Sequence, residues 1–496
     1  MSVAWRLLAL VAGPAAFAGL LAAGAPPGLA APGWAAVALL AWMAAWWITE
    51  AVPVAVTALL PLLVLPLAGA ATPGAAAAPY ADPVIFLFIA AFMLAAAVER
   101  WGLHSRLAFN IALRAGTRPD RMAWAFLGAT AALSMWISNT ATALMLMPIA
   151  LGVARALRPD DASPLPFAGV LALAVAYGAS IGGIGTPVGS PTNLVAMGYL
   201  EREGLSMSFP SWMALAVPVM ALMLLVVGFS LSRLARRGGV EAGRTEAHGT
   251  TGATAGDSDD LAGARAARGV VLDALAALGP RSAAETRVAL VFGAVALAWM
   301  LRPLLVELPG LAGLTDLGVA LAGVLALFLI PSGRATGEAL LDWPTAERIP
   351  WGIALLFGGG LSLAAAMQAN GVTTWLAAEL AWIGALGPFV VLLLIVTLVI
   401  FLTEIASNTA VLTALLPVVA ALAAATGQPA LALAMGAALA ASMAFMLPIG
   451  TPPNAIAYAT GAVPIARMIR VGLGLNLIGV LVIAGVVQWL GPLLLG

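Results

Sequence analysis

Two short motifs occur twice and could bind ions. Ser138-Asn139-Thr140-Ala141 recurs as Ser407-Asn408-Thr409-Ala410, and a proline follows ten residues after each serine, at Pro148 and Pro417. Further on, Ile184-Gly185-Thr186-Pro187 recurs as Ile449-Gly450-Thr451-Pro452, with Asn193 and Asn454 shortly after. The serine-to-glycine spacings, 47 and 43 residues, are similar. Hydroxyls and carboxamides are neutral ligands that serve either sign of charge. Breaks at Gly-Pro expose helix ends, whose free N–H groups attract anions and whose free carbonyls attract cations. For an isolated Ser or Thr, such as Thr142 or Ser442, close helix packing is the better account. Duplicated motifs with matched downstream breaks point instead to two ligand clusters.

The chain around them is extremely apolar. Of 496 residues, 62% are hydrophobic and 9% charged, against roughly 25% charged in an ordinary soluble domain. This is the composition of a polytopic, all-α membrane protein. Cysteine is absent, which excludes disulfides, thiolate metal sites and cysteine nucleophiles. The two histidines, His104 and His248, are too far apart for a metal cluster or a triad. All 22 basic residues are arginine, so lysine Schiff-base chemistry is excluded as well. Net charge is zero and the arginines are scattered, so nucleic acid is not an expected partner.

Apolar stretches long enough to cross a bilayer lie near 5–23, 33–50, 54–70, 83–99, 165–200, 210–233, 287–306, 313–331, 349–369, 431–462 and 468–494. The first could be a cleavable signal peptide, but it opens a series of similar segments and is expected to be retained as a helix. Stretches 122–154 and 386–424, which carry the Ser-Asn-Thr motifs, are decided by arginine. Both flanks of 122–154 are basic (Arg100, Arg106, Arg114, Arg118, Arg121; Arg155, Arg158), and those of 386–424 contain no arginine. Under the positive-inside rule each stretch begins and ends on one side, as a re-entrant hairpin, the first from the cytoplasm and the second from outside. Eleven spans and two hairpins then put every arginine inside except Arg202 and Arg302, with the N-terminus cytoplasmic and the C-terminus external. Segments 101–116 and 371–383 are expected to lie in the interface, anchored by Trp101 and Trp375. Residues 236–285, rich in Gly, Ala, Thr and charge, read as a flexible cytoplasmic linker. Glu404 is a costly charge inside an apolar stretch; it either stabilises an ion site or caps locally. Glu50 reads as a helix end, and Trp343 and Trp351 as interface anchors.

The paired Ser-Asn-Thr motifs, the Gly-Thr-Pro breaks and the eleven-span, two-hairpin layout resemble the divalent anion/sodium symporter family, the INDY-type carboxylate transporters. The resemblance covers nearly the whole chain outside the linker. It implies a homodimer in the cell (inner) membrane, with scaffold and elevator-type transport domains built as an inverted repeat. The scaffold would comprise 1–121 and 286–385, and the transport domain 122–235 and 386–496. It also implies sodium-coupled uptake of dicarboxylates, with citrate, sulfate or sodium-independent exchange in some branches, and no organic cofactor. Carried over by motif, Ser134, Ser138, Asn139 and Gly185 would form a first sodium site, and Thr403, Ala406, Asn408 and Gly450 a second. Ser138, Asn139, Thr140, Thr186, Ser407, Asn408, Thr409, Thr451 and Pro452 would hold the substrate carboxylates. Residues 188–192 have no counterpart in the second copy under this alignment.

Two other functional classes fit less well. A membrane-embedded hydrolase would need a His, Lys or Cys near the repeats to activate a nucleophile, and none is there. A channel suits two opposed hairpins around a midplane site less well than alternating access does.

Overall fold

The computed structural model describes residues 3–114, 116, 118–159, 161, 163–205, 207–246, 255–334 and 337–495. Helices α1 (Val3–Ala23) and α2 (Ala31–Thr49) precede the interrupted pair α3 (Val54–Thr57) and α4 (Leu60–Leu67), then α5 (Pro73–Ala77), α6 (Pro83–Arg100) and α7 (Leu103–Arg114). Next come α8 (Pro119–Ser134), α9 (Asn139–Leu157), α10 (Phe167–Gly182), α11 (Pro191–Arg202) and α12 (Phe209–Glu246). After α13 (Ala255–Ala277), the second half contains α14 (Ala283–Leu305), α15 (Asp316–Leu329), α16 (Trp343–Ala346), α17 (Trp351–Ala369) and α18 (Val372–Glu379). It ends with α19 (Pro388–Thr403), α20 (Asn408–Thr426), α21 (Ala430–Ala441), α22 (Pro452–Ala459) and α23 (Ile465–Leu495).

Every expected span coincides with a helix or a broken pair of helices. Nine segments among the described residues are long and apolar enough to cross a membrane, with shorter apolar helices between them. In such uniformly apolar runs periodicity says little about boundaries, so caps and prolines set them. Proline takes the first helical position of α6, α8, α11, α19 and α22, where its missing N–H costs nothing. Asp82 caps α6 by accepting from the Val84 N–H at 3.1 Å, and Ser282 with Glu285 forms a capping box on α14. Glu50 ends α2 in the left-handed region, at φ 47°.

Close approaches at glycines establish how the halves are related. Gly178 of α10 lies against Leu127 and Thr130 of α8, and Gly182 against Ala131, so the two helices run parallel. Since α8 and α10 start on the same side, α9 must return the chain to that side, and α8 and α9 form a hairpin. In the second half, Gly436 of α21 packs on Leu392 and Val396 of α19, while the Phe445 N–H meets Glu404 at the far end of α19. These helices are also parallel, and α19 and α20 form a second hairpin. Gly169, at the start of α10, touches the carbonyl of Ala462, just beyond α22. Thus α22 runs back from the centre toward the side where α10 begins, and α21 reaches the centre from the opposite side. The two repeats are inverted. Each second hairpin arm packs on the post-break helix of the other repeat, α9 on α22 and α20 on α11.

Two expectations change. Within 236–285, where the composition suggests a tether, Ala255–Ala277 is helical and packs on α9 and α7. Ala267 and Val271 are buried, and the Val270 side chain fills the space above Gly152; small apolar residues one helical turn apart give this helix a packing stripe. Residues 247–254 of that segment lie outside the described residues. Trp101, expected as an interface anchor, is buried, with its indole N–H donating to the Leu340 carbonyl at 2.7 Å and the guanidinium groups of Arg100 and Arg334 over its ring. Trp343 and Trp351 are exposed, as anchors should be.

Candidate functional site

In each repeat a hairpin tip meets the break of a discontinuous helix. The first tip is residues 135–138, between α8 and α9, and the first break is 183–190, between α10 and α11. Ser138 caps α9, its hydroxyl accepting from the Ala141 N–H at 3.4 Å. Ser134 donates to the Ala179 carbonyl at 2.8 Å and lies 2.5 Å from the Asn139 carboxamide. With its nitrogen turned inward, that carboxamide donates to Ser134 Oγ, Ala179 O and Gly189 O; turned the other way it presents Oδ1 to the same cluster. Gly189 is hemmed in by carbonyl oxygens: a Cβ there would sit 2.6 Å from Gly183 O, 2.9 Å from Met135 O and 3.0 Å from Ser134 O. The first half-site therefore gathers backbone carbonyls, one hydroxyl and one carboxamide around Gly189.

The second half-site has tip residues 404–407 and break 442–451. Thr403 donates its hydroxyl to the carbonyls of Val399 and Ile400, both at 2.9 Å. Glu404, 2% exposed, accepts four hydrogen bonds: from the N–H groups of Phe445 (2.7 Å), Met446 (2.8 Å) and Leu447 (2.8 Å), and from Asn476 Nδ2 (2.7 Å). Its role is thus a local cap on the broken segment. Asn408 Oδ1 and Asn454 Oδ1 are buried acceptors without a hydrogen-bond partner among the described residues. Burying an unpaired acceptor costs about 1–3 kcal/mol, and a bound cation would satisfy it.

Two asparagines set the register between the breaks, and it differs from the sequence alignment. Asn193 Nδ2 donates to Gly183 O and Thr186 O, ten and seven residues back; Asn454 Nδ2 donates to Ala444 O and Leu447 O, also ten and seven back. This pairs Gly189-Ser190-Pro191 with Gly450-Thr451-Pro452. Ser190 and Thr451 are the residues before α11 and α22, and Pro191 and Pro452 open those helices. Gly185 is not the counterpart of Gly450; it packs among the side chains of Met220 and Met135. Thr186 is fully buried, and its hydroxyl donates to the Met135 carbonyl. Ser190 and Gly189 are the residues the sequence alignment missed. The only sequence signal for them was the weaker match of Gly-Ser-Pro-Thr-Asn with Gly-Thr-Pro-Pro-Asn.

Ser138, Asn139 and Thr140 are half-buried, as are Ser407, Asn408 and Thr409, so both tips keep a reachable face. Ala406 and Thr451 are buried and Pro452 is exposed. A cavity of about 370 Å3 leads to Ser138 and Ala141, with Glu99, Arg100, Thr345 and Arg348 on its wall. Arg100 is held by Glu338 at 3.1 Å and Asp342 at 2.6 Å. Near the two breaks the repeats are joined by side chains: Tyr177 OH donates to Phe445 O at 2.9 Å, and Ser442 meets Thr192 Oγ1 at 3.1 Å and Ser190 Oγ at 3.4 Å.

Comparison with known proteins agrees with this architecture. The chain is 36% identical over 500 residues to the sodium-dependent dicarboxylate transporter SdcS of Staphylococcus saprophyticus, covering 99% of this chain and 92% of that one. It is 34% identical over 502 residues to SdcS of Staphylococcus aureus, with the same coverage. Among solved structures it resembles the YdaH transporter of Alcanivorax borkumensis in fold, with a TM-score of 0.53 at 16% identity, covering 84% of this chain and 87% of that one. The family model described as the sodium:sulfate symporter transmembrane region matches residues 2–496, and the chain belongs to that family of divalent anion/sodium symporters.

Proposed function

We propose that this protein is a sodium-coupled symporter that imports small dicarboxylates such as succinate, malate or fumarate. The observation that carries this reading is the pair of inverted tip-and-break half-sites, each built from neutral oxygen ligands. Hard neutral oxygens suit sodium, and the open N-termini of α9, α11, α20 and α22 suit carboxylates. The first sodium ion would take Ser134, Ser138, Asn139 and, in the structural register, the Gly189 region instead of Gly185. The second would take Thr403, Ala406, Asn408 and Gly450, with the unpartnered Asn408 Oδ1 supporting this assignment. Carboxylates would bind Ser138, Asn139, Thr140, Ser407, Asn408 and Thr409, with Ser190 and Pro191 opposite Thr451 and Pro452. Thr186, enclosed and engaged, would brace the tip from behind. The relatives named as sodium-dependent dicarboxylate transporters support this substrate class over sulfate.

The same reading places α8–α12 and α19–α23 in a unit that moves against a scaffold of the remaining spans, as an elevator in a homodimeric inner-membrane protein. Its N-terminus would be cytoplasmic and its C-terminus external. The deciding experiment is radiolabelled uptake into proteoliposomes, in sodium and in choline, with succinate, malate, fumarate, citrate and sulfate. Sodium-dependent accumulation of a dicarboxylate is expected. Accumulation of sulfate alone would overturn the substrate class, and exchange without sodium would overturn the coupling.

A further inference from the structure

The backbone of Phe445 lies between the two half-sites and is held from both repeats. From the second repeat, Glu404 Oε1 accepts its N–H at 2.7 Å, while Asn454 Nδ2 holds the carbonyl of the same peptide, Ala444 O, at 2.9 Å. From the first repeat, Tyr177 OH donates to Phe445 O at 2.9 Å, with the two rings in edge contact at 5.0 Å. Tyr177 is fully buried, and it sits on α10 two residues before Ala179, whose carbonyl Ser134 binds in the first half-site. Glu404 directly follows Thr403, and Gly450 comes so close that a Cβ there would lie 3.1 Å from Glu404 Oε2. One backbone unit is thus hydrogen-bonded to a helix turn of the first half-site and to the clamp of the second.

Among the described residues the first repeat shows no matching clamp. Met135 occupies the position after Ser134, and its break is held by neutral groups, Asn193 and Trp212. Drawing Ser134 onto a cation shifts the Ala179 carbonyl it binds, and with it Tyr177 in the same turn; displacing 445–447 moves the frame of the second half-site. We propose that Tyr177 and Glu404 are positioning residues that hold the Phe445 backbone between the half-sites, so that a cation at one favours a cation at the other. This rests on the sodium-coupled reading above. Reciprocity requires each site to raise the other's affinity by the same factor.

The test is the sodium dependence of succinate uptake in proteoliposomes of wild type, Tyr177→Phe, Glu404→Gln and the double variant. Tyr177→Phe deletes one hydroxyl and keeps the ring. Wild type should show a Hill coefficient above one. Loss of one buried hydrogen bond should raise the half-saturating sodium concentration about three- to ten-fold in Tyr177→Phe and bring the Hill coefficient toward one, with the maximal rate at saturating sodium retained. The double variant should be little worse than Glu404→Gln, because both act on one backbone unit. Unchanged sodium dependence in a Tyr177→Phe protein that elutes like wild type would overturn the inference. A lower maximal rate with unchanged sodium dependence would also overturn it, since that marks a structural role. If Tyr177→Phe cannot be reconstituted, the same readout on Glu404→Gln decides. Wild-type uptake independent of sodium would overturn the coupled function itself.

Discussion

At Gly189 the space for a side chain is already taken by carbonyl oxygens, the nearest 2.6 Å from an ideal Cβ. At Gly185 the nearest obstacles are the flexible side chains of Met220 and Met135 and no backbone atom. Gly189→Ala should therefore cut sodium-dependent uptake ten-fold or more, the cost of spoiling contacts to a charged group, while Gly185→Ala should leave most of it. The opposite order would restore the alignment on Gly-Thr-Pro. The tips give a second prediction. If both half-sites hold the anion and a cation, Asn139→Ala and Asn408→Ala should each weaken succinate affinity roughly ten- to a hundred-fold, with elution and melting behaviour unchanged. A single sensitive asparagine would argue for a one-tip site. The tips themselves were legible in the sequence, because a four-residue motif repeated beside matching prolines is hard to miss. The downstream register was not: identical Ile-Gly-Thr-Pro strings outweighed the looser Gly-Ser-Pro-Thr-Asn match, and only the two asparagines binding carbonyls ten and seven residues back show which alignment folds.

Helices and hairpins were legible for a different reason. Lipid-exposed backbone must satisfy its hydrogen bonds within the segment, so apolar length nearly determines the elements, and arginine placement suggests their direction. The parallel course of α8 and α10, and of α19 and α21, makes both Ser-Asn-Thr segments chain reversals. Which face of the membrane each hairpin enters follows from arginine alone, and the chain's lack of cysteine makes this directly measurable. Single cysteines replacing Arg118 and Arg155 should be labelled only from the cytoplasm, and those replacing Gly384 and Gln428 only from outside. Labelling of positions 118 and 155 from opposite faces would make 122–154 a span. Helix α13 shows where composition misleads: its Gly, Ala and Asp suggest a solvated tether, yet a few small apolar residues suffice to seat it on α9. Glu404 could not be assigned from sequence because the three N–H groups it caps lie more than forty residues away.

For the whole molecule the governing quantity is charge. A dicarboxylate brings two negative charges to a place where unpaired charge is expensive. The half-sites offer no lysine or arginine, and the one carboxylate among them, Glu404, is already committed to backbone N–H groups. The wall of the cavity that leads to Ser138 carries both signs: Arg100, neutralised by Glu338 and Asp342, together with Arg348 and Glu99. Helix N-termini supply only about half a charge each, so the four at the half-sites nominally match the dianion and leave no surplus to repay its desolvation. On the sodium-coupled reading, mobile cations would repay that cost, and the carbonyl, hydroxyl and carboxamide clusters beside both tips are where they would sit. Anion and sodium binding should therefore be reciprocally coupled, each raising the other's affinity by the same factor. Succinate binding, measured by isothermal titration, should require sodium. Ser134→Ala and Thr403→Ala should raise the sodium concentration needed more than they weaken binding at saturating sodium, because each removes a group beside a cation and none that faces the anion. Equal succinate affinity in sodium and in choline would mean that the dianion is balanced without cations, and the protein would then be an exchanger that uses the same half-sites.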